Sequence, residues 1–127
     1  VKGVSNLDGI LARADQILID RGDLSREVPI EKIPYIQRRI ISHAKSKDTP
    51  VFVATNLLES MTKTKNPTRA EVNDVASTLL MGADGLVLAA ETAIGKYPLG
   101  AVRMINSLIK QHNRWTPNSS FEDILFD

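Results

Sequence analysis

Cysteine is absent from the 127 residues, which excludes a disulfide framework, a thiolate metal site and cysteine nucleophile chemistry. Aromatic residues are scarce, at 5% with a single Trp, and Lys and Arg are scattered rather than clustered. A nucleic-acid binder would carry a basic run interleaved with Tyr or Phe, so no nucleic-acid partner is expected. No apolar run approaches the roughly 20 residues that span a bilayer, and the first residues lack the basic start and apolar core of a secretory signal. No membrane partner is expected, and a cytoplasmic location fits best. An excess of one charge is missing too, since the formal net charge is +1. The first residue is Val1 rather than Met, which reads as a processed piece or a fragment of a longer chain.

Apolar residues are present at 43%, enough for the core of one globular unit. The chain repeats itself. Ala14-Asp15-Gln16-Ile17-Leu18-Ile19 and Ala83-Asp84-Gly85-Leu86-Val87-Leu88 share a pattern, and Thr49-Pro50-Val51-Phe52-Val53-Ala54 lies between them, the runs starting about 34 residues apart. Each is short, rich in Val, Ile and Leu and bounded by turn or charged residues, the look of a strand buried on both faces. Each is followed by a helical pattern. The first runs from Ile30 to about Lys45 on Ile33, Ile36, Ile40 and Ala44, with Pro34 expected to kink it or delay its start. The second opens at Thr68-Arg69-Ala70-Glu71, a capping box, and continues on Val72, Val75, Ala76, Leu79 and Leu80. The third opens at Pro98 and carries Val102, Ile105, Leu108 and Ile109. A short helix around Leu7 to Ala12 is expected before the first strand. Three consecutive βα units with continuous apolar strands imply an α/β fold with a parallel sheet.

In such folds the ligand site gathers beyond the carboxyl ends of the strands. All three strands here end in chemistry. The first delivers Asp20, Arg21, Gly22 and Asp23, the second Thr55, Asn56 and then Glu59, and the third Glu91 and Thr92. Convergence on one rim would suit a divalent metal with an anionic substrate. Simpler readings stand beside this one. Asp20 and Asp23, taken alone, fit better as residues that bracket a turn and cap the next segment. Arg69 and Glu71 fit a structural capping box, and His43 and His112 lack a second ligand one turn away. Arg21-Gly22-Asp23 spells an adhesion tripeptide, a weak signal in a chain without secretory features.

Five ordered blocks carry a resemblance: Ile19-Asp20-Arg21-Gly22-Asp23-Leu24, Ala54-Thr55-Asn56-Leu57-Leu58-Glu59-Ser60-Met61, Pro67-Thr68-Arg69-Ala70-Glu71, Gly82-Ala83-Asp84-Gly85 and Glu91-Thr92-Ala93-Ile94-Gly95-Lys96-Tyr97-Pro98. Their order and spacing resemble pyruvate kinase, over roughly Asp8 to Leu108. The resemblance implies strands six to eight of a (β/α)₈ barrel, a partial TIM barrel. Residues 1–113 are read as the C-terminal portion of that domain and 114–127 as a tail or linker. It implies phosphoryl transfer between phosphoenolpyruvate and ADP, giving pyruvate and ATP, with Mg²⁺ or Mn²⁺ and K⁺. By position, Asp23 resembles the metal carboxylate, and the backbone of Gly22 and Asp23 the donor to the substrate carboxylate. Thr55 resembles the threonine that contacts that carboxylate and serves enolate protonation, and Arg21 the arginine that organises the site.

A closed barrel of this kind takes about 250 residues, so three units are expected to expose a sheet edge and apolar surface. The family's lysine and second metal carboxylate would precede Val1, as would its potassium-site residues. The implied partners are the rest of the barrel, in the same or another chain, and a second subunit in a homo-oligomer. Departures fall at Asp20, Ser25, Asn56 and Ala89-Ala90, where the family has a small residue, glycine, glutamine and Ser-Gly. An added carboxylate at Asp20 stands beside Arg21 as a rival to ligand. Two other readings remain open: a binding or regulatory barrel piece without turnover, and another metal-enolate barrel enzyme, a lyase or aldolase.

Overall fold

The computed structural model describes residues 15–54 and 57–126. The helix expected at Leu7 to Ala12 lies outside them, as do Thr55 and Asn56. Strand β1 (Ile17–Asp20) runs into helix α1 (Arg21–Glu27), whose N-cap is Asp20. A 3₁₀ turn (Ile30–Lys32) precedes helix α2 (Ile33–Ser46), which holds Pro34 in its first turn. Proline needs no N–H partner there. It therefore delays the helix to Ile33 without kinking it.

Strand β2 (Val51–Ala54) leads through a 3₁₀ turn (Glu59–Thr62) to helix α3 (Arg69–Met81). The capping box forms as the spacing predicts, with Thr68 and Glu71 each accepting the other's backbone N–H. Gly82 ends α3 at φ 110°, a left-handed conformation that a side chain would strain. Strand β3 (Gly85–Val87), helix α4 (Ala90–Ala93) and helix α5 (Pro98–Arg114) complete the third unit. Within the tail, helix α6 (Phe121–Phe126) is capped by Ser120, whose hydroxyl accepts the Asp123 N–H.

The sheet has the order β1-β2-β3, all parallel, with Ile19, Val53 and Leu86 in one row. Side chains alternate across a strand. Ile19, Val51 and Val53 face the helices and are 3%, 0% and 0% exposed. Leu18 and Val87 face the other way and remain 60% and 41% exposed. Among the described residues the helices cover one face of the sheet, and Leu18 and Val87 lie on the other. The expected open apolar surface is this second face.

Two hydrophobic clusters sit under the sheet. Ile40, Ile41 and Ala44 of α2 pack on β1 and β2, and Val75 and Leu79 of α3 pack with Leu57, Leu58, Met61, Ala101 and Ile105. Leu86 touches both. Parallel strands in register bring the three carboxyl ends, and the segments that follow them, to one edge.

Candidate functional site at the carboxyl rim

The charged knot after β1 is helical, not the open loop its composition suggests. The Asp20 carboxylate accepts the Asp23 N–H at 3.2 Å, satisfying a first-turn donor that has no partner within the helix. The simpler reading of Asp20 as a cap therefore holds. The Asp23 side chain is 67% exposed and takes a 3.2 Å hydrogen bond from the still more open Arg26. A cleft of about 220 Å³ beside β1 is lined by Asp20, Asp23, Glu27 and the apolar residues of the strand. Asp23 thus presents acceptor oxygens to an open rim.

Arg21 points elsewhere. Its Nη1 reaches both oxygens of Asp74 on α3, at 2.8 and 2.7 Å. With the Arg21 side chain 12% exposed, this ion pair ties the start of α1 to α3. Beside it a groove of about 310 Å³ runs between α2 and α3, past Gln37, Arg38 and Asn73.

The segment after β2 is held from several sides. Leu57, Leu58 and Met61 are 0%, 0% and 1% exposed. Glu71, besides its place in the capping box, accepts the Ser60 N–H at 2.8 Å and the Ser60 hydroxyl. Thr62 C=O accepts the Lys96 N–H at 3.0 Å, joining the segments after β2 and β3. Gly95 is required at this junction, since a Cβ there would lie 2.5 Å from the Glu91 carbonyl oxygen and 3.2 Å from Thr62 Cα.

Glu91 departs from its expected place as a rim carboxylate. It is 2% exposed, and its oxygens accept the Leu58 N–H at 2.9 Å and the Ala89 N–H at 3.0 Å. Thr92 stays exposed with its hydroxyl on the Ala89 carbonyl. Gly22 lies in the first turn of α1, its carbonyl accepting the Ser25 hydroxyl at 2.7 Å. Thr55 falls outside the described residues. Sequence reasoning did not find Asp74 or the second task of Glu71. Both partners are distant in the chain, 53 and 11 residues away, and local spacing carries no signal of them.

Two carboxylates titrate below their ordinary range. Burial acts to raise the Glu71 pKa, but the hydrogen bonds from Ser60 and Thr68 outweigh it and lower the value. Asp84 is lowered chiefly by its hydrogen bond from Lys45, then by the Val51 N–H, against a smaller effect of burial. A depressed carboxylate pKa stabilises the fold above the unfolded value and loses that contribution as pH falls through the folded one. Stability is therefore expected to be level near neutrality and to decline below about pH 4.5. Urea midpoints from pH 7 to pH 3 would measure this. Glu71→Gln should lower the midpoint at pH 7 and flatten the acid decline, and parallel curves for the two proteins would refute the assignment.

Among the described residues no group of His, Asp or Glu side chains is placed to hold a metal by itself. Asp23 fits a hard divalent ion in kind, as an exposed carboxylate with unused lone pairs, and such an ion would need further ligands from outside these residues. Among the described residues no helix is long and apolar enough to cross a membrane.

Known proteins share this arrangement. The family pattern for "Pyruvate kinase, barrel domain" matches residues 1–102. The pyruvate kinase of Thermotoga maritima is 46% identical over 110 residues, which cover 87% of this chain and 24% of that protein. The pyruvate kinase of Mycobacterium tuberculosis is 45% identical over 108 residues, 85% of this chain and 23% of its own length. The crystal structure of a pyruvate kinase from Cryptosporidium parvum superposes with a TM-score of 0.89 at 41% identity, covering 91% of this chain and 23% of that one. The chain thus spans about a quarter of the length of these relatives. Its three parallel units match part of their barrel, and the chain belongs to the pyruvate kinase family.

Proposed function

We propose that this chain contributes part of the catalytic rim of a pyruvate kinase barrel, which transfers a phosphoryl group between phosphoenolpyruvate and ADP. The observation that carries the reading is Asp23, an open carboxylate at the carboxyl end of a parallel strand with a cleft beside it. Asp23 would hold Mg²⁺ or Mn²⁺, and the backbone at Gly22 and Asp23 would receive the substrate carboxylate. Thr55 would contact that carboxylate and serve proton transfer to the enolate. A bound divalent ion supplies charge neutralisation on the phosphoryl and enolate oxygens. Arg21 fits a positioning role, since its pair with Asp74 fixes the start of α1 against α3. K⁺, the remaining metal ligands and the rest of the nucleotide site would come from upstream parts of the barrel, and a homo-oligomer in the cytoplasm would be the working form.

One observation favours a second reading, a barrel piece that binds without turnover. The Asp20 carboxylate already accepts the Asp23 N–H assigned to the substrate, so Asp20 must turn aside for substrate to bind. A chimera separates the two. The segment of this chain aligned with the Thermotoga maritima protein would replace its counterpart there. Mg²⁺-dependent pyruvate formation from phosphoenolpyruvate and ADP is the expected result. A folded chimera without turnover would overturn the proposal, and recovery of turnover on Asp20→Ala would then identify the Asp20 contact as the cause.

A further inference from the structure

Among the described residues, Glu91 is the one acidic residue shut inside the protein, at 2% exposure. A buried carboxylate is costly unless its oxygens are hydrogen-bonded. Here each oxygen takes one backbone N–H, and the two donors belong to different segments: Leu58 after β2 and Ala89 after β3. Neither bond is a rung of the sheet, whose β2–β3 pairing reaches Ala54 and Val87 among the described residues. The carboxylate thus links the two segments that follow the strands. Two further contacts reinforce the same junction, the Lys96 N–H on the Thr62 carbonyl and the close approach of Gly95 to the backbone of Glu91 and Thr62.

We infer that Glu91 is a positioning residue for the reaction proposed above, a buried clamp that sets where the segment following β2 stands on the rim. Leu58 lies three residues beyond Thr55 in the chain, so the clamp fixes one end of the stretch that carries Thr55. Glutamine at 91 would have one oxygen and one NH₂ group. One backbone N–H would then face another donor. Aspartate would keep both oxygens on a shorter side chain that cannot span the two segments.

The test has two parts, and the first needs no catalysis. In the 127-residue chain, Glu91→Gln should speed amide exchange at Leu58 or Ala89 by at least about tenfold relative to Val53 in β2. Exchange that rises equally at all three amides, or at none, overturns the clamp. The second part uses the chimera. Glu91→Gln should raise KM for phosphoenolpyruvate by about tenfold or more, in line with the loss of one charge-assisted hydrogen bond, and leave KM for ADP unchanged. Glu91→Asp should not restore it. A fall in active fraction with both KM values unchanged overturns the positioning role, since that is all a purely structural residue would produce. A chimera with no turnover before any substitution overturns the proposed function instead, and the exchange rates alone then support or overturn the clamp.

Discussion

Replacing Asp23 by Asn in the chimera is expected to reduce Mg²⁺-dependent turnover by at least about a hundredfold, the scale of the several kcal/mol that a metal contributes to charge stabilisation. The two side chains have nearly the same shape, and only the charge is lost. The fold has little stake in that charge. Asp23 is 67% exposed, and its partner Arg26 is 80% exposed, a pairing of the kind that contributes little to stability. The cap on α1 runs through the Asp23 backbone N–H to Asp20 and survives the change. A loss of activity at unchanged melting temperature is therefore the expected pattern. Partial recovery at raised Mn²⁺ would strengthen the assignment. Turnover within threefold of the parent would remove Asp23 from the metal site.

The second large effect is on stability. Ile41 is 0% exposed on the inner face of α2, within the cluster formed with Ile19, Ile40, Ala44, Val51 and Val53. Cutting it to alanine removes buried methyl and methylene groups and leaves a cavity, at a cost of about 2–5 kcal/mol. Domains of this size are stable by about 5–15 kcal/mol, so a loss of this size is a large share of the total. Ile41→Ala is thus expected to lower the urea midpoint steeply with the slope unchanged. An exposed control on the same helix, Arg39→Ala, should move it little. A shift below about 1 kcal/mol for Ile41→Ala would mean that the α2 cluster is not the principal core.

Much of this architecture is legible in the sequence because its determinants are local. The capping box at Thr68 and Glu71, the proline near the start of α2 and the three aliphatic runs each act within a few residues. The order of the motif blocks gave the family, and the match over residues 1–102 bears that out. The rim was harder to read. Glu91 looks like a free carboxylate in a string of small residues, but its oxygens meet the N–H of Ala89 nearby and of Leu58, 33 residues earlier in the chain. The Asp-Arg-Gly-Asp knot looks like a turn, yet Asp20 caps a helix that begins at once. Arg21 offers a cation to any ligand on paper, but the helix that carries Asp74 reaches it through the tertiary fold. The strands were legible for a related reason. Apolar alternation is absent because the second face is also apolar, and Leu18 and Val87 on that face are the exposed apolar surface expected of three units alone.

Helix α3 and strand β3 stand between the two hydrophobic clusters. Met81 faces the first and Val75 and Leu79 the second, while Leu86 belongs to both. Gln37 adds a polar link from α2, its amide donating to Thr78 at 3.3 Å. Packing that is shared in this way makes the loss of one cluster remove the wall of the other. The free energy of opening either half then approaches that of opening the whole, so the halves behave as one cooperative unit. The consequence is thermodynamic: α3 and β3 are where two small cores become one melting transition.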